Sequence, residues 1–270
     1  MGEWQVLGDV GGGGLVVGVS DVAEAGAGGA DVGRGGRGFR VTERDVGLVR
    51  LVGRCRFAGA EQIQRRFGLD RSRCYRRLRG LAGLGLVRHE RVVHGAGVYV
   101  ATREGLGVAG LEELGPGTVS LQSYTHELRC VDQLVALELA GFSETLTERE
   151  MRAAERVGDA RFSVPLARFA AKGAERVHWP DLAIRREEGW WAVEVELTAK
   201  TPGRLEEILR GYRRCQHLAG VLYYLQAQAE RDRVMAIAGR LEMGNRLVCA
   251  RLAEPGTANA SGAASVGGAR

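Results

Sequence analysis

The chain has 270 residues, of which 41 are glycine, 38 are Lys or Arg and 33 are Asp or Glu, leaving a formal charge of +5. An apolar fraction of 45% excludes a wholly disordered chain. No apolar stretch approaches the length of a membrane span, so no membrane partner is expected. The Leu15–Val19 run is too short, and lacks the preceding basic residues, for a signal peptide. Five widely spaced cysteines without a CxxC pair disfavour a disulfide framework or a zinc site and point to a reducing, cytoplasmic setting.

Glycine runs such as Gly11–Gly14 offer no side chains to bury and cost much entropy to order. Residues 1–38 are therefore read as a disordered tail, and residues 254–270 as a second one. The intervening chain divides into a segment at 39–112 and another at 118–253.

Only two basic residues are lysines, Lys172 and Lys200. Such a bias fits a GC-rich genome, but that alone would spread arginine evenly. Between Arg40 and Arg103 there are instead fifteen arginines against five acids, an excess of ten positive charges, so the remainder of the chain is net negative by five. That asymmetry points to a polyanionic partner for this segment.

The first helix is expected to start at Thr42, which caps a turn carrying Glu43 and Asp45. A second helix spans Ala60–Phe67. After the turn Gly68-Leu69-Asp70, a third runs from Arg71 to Ala82 with an apolar stripe of Cys74, Leu78 and Leu81. Two β-prone runs, Leu84–Arg91 and Val98–Ala101, flank the glycine-containing turn His94–Gly97. Three short helices followed by a hairpin make a winged helix-turn-helix. Its third helix would enter the major groove of double-stranded DNA, with Arg71, Arg73, Arg76, Arg77 and Arg79 available for phosphates or guanine edges. Arg88 and Arg91 on the wing would reach the flanking backbone. The competing use of such a module is protein contact, with the arginines solvated.

In the second segment, Tyr124, Leu128, Val131, Val135 and Leu139 give Ser123–Leu139 one apolar helical face. Glu127 lies at its edge and His126 away from it. Residues 144–172 are ambiguous, with a candidate strand at Glu144–Met151. His178–Ile184, a strand with an acid near its start, and Trp190–Lys200 then read as a hairpin around a charged turn. Along the second run Trp191, Val193, Val195 and Leu197 face one way, and Ala192, Glu194, Glu196 and Thr198 the other. Two carboxylates thus lie about 7 Å apart on one strand face, and the hairpin can bring Asp181 beside them. Clustered acids in an apolar hairpin are costly without a positive charge. A divalent cation such as Mg²⁺ (or Mn²⁺) offsets them well; the competing reading pairs them with arginines on a solvated face. A helix at Gly203–Cys215, a strand at Val221–Leu225, a helix at Gln226–Leu241 and a strand at Arg246–Leu252 complete the expected order.

This order resembles the PD-(D/E)xK nuclease superfamily. With the winged helix in front, the chain resembles the replication-relaxation family of plasmid and mobile-element proteins. The resemblance is carried by His126-Glu127, Pro180-Asp181, Glu194-Val195-Glu196-Leu197-Thr198-Ala199-Lys200 and Tyr212. It implies an α+β protein, a winged helix-turn-helix followed by a PD-(D/E)xK-like domain with a central mixed sheet. It also implies a Mg²⁺-dependent endodeoxyribonuclease with Asp181 and Glu194 as metal ligands and Glu127 as the helix acid. The slot for the water-positioning lysine holds Glu196, so either Glu196 serves there or Lys200 folds back to supply the ammonium. A degenerate site that keeps only DNA binding, as in an accessory protein or transcriptional regulator, is the alternative. Other replication or transfer proteins, and a second copy of the chain, are compatible partners.

Overall fold

A computed structural model describes residues 39–92, 95, 97–166 and 176–254. Both glycine-rich tails, apart from Glu254, and the hairpin positions His94 and Ala96 lie outside the described residues.

In the first half, α1 (Glu43–Arg54) begins where Thr42 N–H donates to Asp45 Oδ2 at 2.8 Å, closing one turn of a capping box. The two-residue strand β1 (Ala58–Gly59) leads into α2 (Ala60–Phe67). Asp70 accepts from the Arg73 N–H at 2.8 Å and so caps α3 (Arg71–Gly83). Cys74, Leu78 and Leu81 of α3 are buried, as their spacing predicts. The hairpin strands β2 (Val87–Glu90) and β3 (Val98–Ala101) pair antiparallel, and β1 adds to β3, giving the order β1-β3-β2. This is the arrangement of a winged helix. The strand β1 was hidden in the sequence as a break, because two residues carry no periodicity. Helix α4 (Arg103–Ala109), capped by Thr102, packs on α1.

In the second half, α5 (Tyr124–Leu139) precedes β4 (Thr145–Thr147) and α6 (Glu148–Val157). The expected strand at Glu144–Met151 is therefore corrected: only its first residues are extended. Thr147 and Glu150 form a capping box, with Thr147 N–H donating to Glu150 Oε2 at 2.8 Å, and this starts a helix instead. A ribbon of β5 (Val164–Pro165) and β6 (Val177–His178) follows. Pro180 then separates β6 from β7 (Leu182–Arg186), so the run from His178 to Ile184 is two strands rather than one. After β8 (Gly189–Glu196) come α7 (Pro202–Arg214), β9 (Gly220–Leu225), α8 (Gln228–Arg240) and β10 (Leu247–Arg251).

The central sheet is mixed, in the order β10-β9-β8-β7-β4. Strands β4, β7 and β8 form an antiparallel meander, and α7 carries the chain across to β9, parallel to β8. A helix, three antiparallel strands, a crossover helix and a parallel strand reproduce the layout implied by the resemblance, and the chain is α+β.

The alternation along β8 sorts its side chains between two cores. Trp191, Val193 and Val195 join a core with α1, α3 and α5, while Ala192 lies in another with α7 and α8. The first core runs without interruption from the winged helix into the sheet. Across the same junction Arg54 reaches Glu138 and Glu150, each at 2.7 Å, and donates to the Thr145 carbonyl at 2.7 Å.

Candidate functional site

Two features of the molecule are candidates for function. The first is the outer surface of α3. Arg71, Arg73, Arg76 and Arg79 are exposed there, and Arg88 and Arg91 are exposed on the wing. Among the described residues Arg71, Arg76, Arg79 and Arg91 form no ion pair, while Arg73 meets Asp70 at 3.1 Å and Arg88 meets Glu90 at 2.6 Å. Arg77 differs. It turns inward to the buried Asp45, donates to the Arg40 carbonyl at 2.9 Å and stacks 4.1 Å from the Phe39 ring centroid. Burial disfavours the charge of Asp45, yet Arg77 and Thr42 hold its pKa below the ordinary value. Of the seven arginines expected at DNA, Arg77 is thus the one built into the fold.

The second feature lies where β7 begins and β8 ends. Leu182 pairs with Val193, which sets Asp181 opposite Glu194. Glu194 and Glu196 are buried, so they do not line a solvated face. Each acid has its own polar partner. His178 Nε2 lies 2.6 Å from Glu194 Oε1, which also accepts from the Tyr212 hydroxyl of α7. Lys200 folds back and donates to Glu196 Oε2. Asp181 Oδ2 accepts from the Val195 N–H at 2.8 Å and faces His126 Nε2 at 3.5 Å.

Burial opposes charge on Glu194, but His178, Lys200 and the Tyr212 hydroxyl outweigh it and hold the carboxyl below its usual range. The same burial raises Asp181 and Glu196, which His126 and Lys200 only partly offset. Beside Glu194 in the sheet, the buried Tyr223 hydroxyl has no hydrogen-bond partner among the described residues. Glu127, the expected helix acid, instead meets Arg56 at 3.3 Å, and Arg56 also lies 3.7 Å from Glu148.

A pocket opens on the α5 side of this region. It is lined by His126, Glu127, Cys130, Glu148 and Asp181 together with Arg54, Arg56 and Arg149, and has about 40 Å³ of room for water-sized occupants. Glu194 does not line it.

A hard cation such as Mg²⁺ takes oxygen ligands. Among the described residues Asp181 Oδ1 and Glu194 Oε2 accept no hydrogen bond, so each acid keeps one oxygen for such an ion while the other is pinned. Oxygen donors of this kind are the ones Mg²⁺ takes.

No role for His178, which reaches Glu194 from β6, is legible in the sequence, and His126 reads there only as a polar-face residue. The spacing of His126 and Cys130, one helical turn apart, was the available signal.

Together these features define an α+β protein with a winged helix in front of a sheet whose acids gather where β7 begins and β8 ends. A model of the replication-relaxation family matches residues 49–224, from within α1 into β9, and the chain belongs to that family. Membership places it among proteins of plasmid and mobile-element replication or relaxation. No curated protein sequence matches the chain. Among the described residues no helix is long and apolar enough to cross a membrane.

Proposed function

We propose that the protein binds double-stranded DNA through α3 and the wing in the course of plasmid or mobile-element replication. The observation that carries this reading is the set of exposed arginines on α3, Arg71, Arg76 and Arg79, that form no ion pair among the described residues. Exposed guanidinium groups on a helix suit phosphate contacts and bidentate bonds to guanine. Anisotropy titrations of a labelled duplex at several salt concentrations test it. Replacing both Arg71 and Arg76 by Ala should weaken binding at least tenfold and lower the salt slope by roughly one to two. Wild-type affinity in that variant, or binding independent of salt, overturns the reading and favours a protein-contact role for the winged helix.

The arrangement of Asp181, Glu194 and Lys200 supports a second activity, metal-dependent cleavage of the bound DNA. Asp181 and Glu194 would hold Mg²⁺, which supplies Lewis acidity toward a phosphodiester. Lys200, kept charged by Glu194 and Glu196 against its burial, sets an ammonium at the strand end. Tyr212 and His178 orient Glu194. Supercoiled plasmid with Mg²⁺ or Mn²⁺ should be nicked or cut by the wild type but not by Asp181→Ala or Glu194→Ala. Intact plasmid throughout, with DNA binding retained, leaves the protein a non-catalytic DNA-binding factor.

A further inference from the structure

His126 and Cys130 lie one turn apart on α5, and Asp181 comes to them from the start of β7. Donor atoms of the three side chains all lie within 4.8 Å of one another. His126 Nε2 is 3.5 Å from Asp181 Oδ2 and 3.9 Å from Cys130 Sγ, while Nδ1 is 3.7 Å from that sulfur. Zinc bonds of about 2.0–2.1 Å to nitrogen or oxygen and about 2.3 Å to sulfur give tetrahedral edges of roughly 3.4–3.6 Å. His126 Nε2 also lies 3.1 Å from the Val195 carbonyl, a contact that a metal bound at that nitrogen would replace, and separations of up to 4.8 Å within the trio would close by about 1 Å through side-chain rotation to meet that figure.

We propose that His126, Cys130 and Asp181 form a binding site for a borderline-soft divalent transition metal of the Zn²⁺ type. The proposal depends on neither of the readings above. The mixed nitrogen, sulfur and oxygen set selects against Mg²⁺ and Ca²⁺, which prefer oxygen alone. Two ligands on one helical turn and a third pinned by the Val195 N–H form a largely preset triangle. As the sulfur–metal bond forms, the thiol proton leaves to solvent.

Three protein ligands leave a fourth tetrahedral position. The three residues line the pocket with room for water-sized occupants, so the fourth position falls to water or an incoming oxygen ligand. Arg54, Arg56 and Arg149 line the same pocket, and their charge favours an anionic oxygen, such as one from a phosphate group, as that ligand.

Cobalt(II) titration of the metal-free full-length protein tests the proposal, because a cobalt–thiolate bond absorbs in the near ultraviolet. The expected result is a 1:1 complex that Zn²⁺ displaces and a large excess of Mg²⁺ does not. Cys130→Ser should abolish the thiolate band, and His126→Gln and Asp181→Asn should each weaken binding on the order of 100-fold or more. Circular dichroism establishes that each variant is folded. Cys55→Ser, at the other pocket cysteine, and Glu194→Gln should both leave the spectrum unchanged. Absence of the band in folded wild type, or its persistence in folded Cys130→Ser, overturns the site. Asp181 is common to this site and to the cleavage reading, so Glu194 and Cys130 variants separate them. Loss of Mg²⁺-dependent cleavage only in Glu194→Gln, with cobalt binding intact, means two independent metal functions.

Discussion

The arginines of the winged helix do two different jobs, and the contrast between those turned inward and those turned outward explains much of the molecule. Arg54, Arg56, Arg65 and Arg66 reach across the junction to Glu127, Asp132, Glu138, Glu148 and Glu150 of the second half. Arg71, Arg76 and Arg79 face outward and take no acid among the described residues. The positive excess of the first half is thus partly consumed in fastening it to its negatively charged neighbour, and what remains on α3 is a smaller, localised basic surface. A count of charges along the chain cannot separate the two populations, because one of them is neutralised by residues far away in sequence.

The sharpest way to break this contrast is Arg54→Ala. It removes the cation shared by two largely buried carboxylates, leaving Glu138 with Arg66 and Glu150 with its Thr147 hydrogen bonds, and should cost about 3–4 kcal/mol, measured by urea unfolding. A loss under 1 kcal/mol would mean that Arg54 does not fasten the junction and that the apolar core and the Arg65 and Arg66 pairs carry it. Arg77→Ala comes next, at about 2–3 kcal/mol, because Asp45 keeps its hydrogen bonds from Thr42.

Acid gives a third, graded test. Burial works against the charge of Glu138, but Arg66 and Arg54 hold its pKa below the ordinary 4.5. A depressed carboxyl contributes stability that is complete above its unfolded value and lost as pH falls through its folded one. Stability should therefore decline as pH drops below about 4.5, and Glu138→Gln should flatten that decline. An unchanged acid limb in the variant would remove Glu138 from the account. The smallest effect on stability is expected from Arg76→Ala, within about 0.5 kcal/mol, with its loss appearing in DNA affinity instead. Destabilisation comparable to that of Arg77→Ala would erase the distinction between the two populations.

Much of the fold was legible because it is local. The caps at Thr42 and Asp70, the stripe of Cys74, Leu78 and Leu81, and the strict alternation along β8 each depend on neighbours within a few residues. The error at Glu144–Met151 came from reading extended character through Thr147-Glu148-Arg149-Glu150, although that stretch carries the Thr and Glu spacing of a capping box. The candidate site was legible in its acids and in Lys200 but not in their companions. His178 meets Glu194 only because β6 folds against β5, and Tyr212 only because α7 crosses the sheet. Arg77 could not be told from Arg76 by spacing, since the difference between them is a buried aspartate on another helix.

One consequence follows from the core that passes unbroken from α1 into β8. A winged helix on a flexible tether could let its cargo swing freely, but here the two halves share packed side chains and buried ion pairs. If α3 binds a duplex as proposed, that duplex would be presented to the rest of the protein at one fixed bearing. Shifting a recognised sequence by half a helical turn relative to any second contact should then weaken binding, measured by anisotropy, more than shifting it by a full turn.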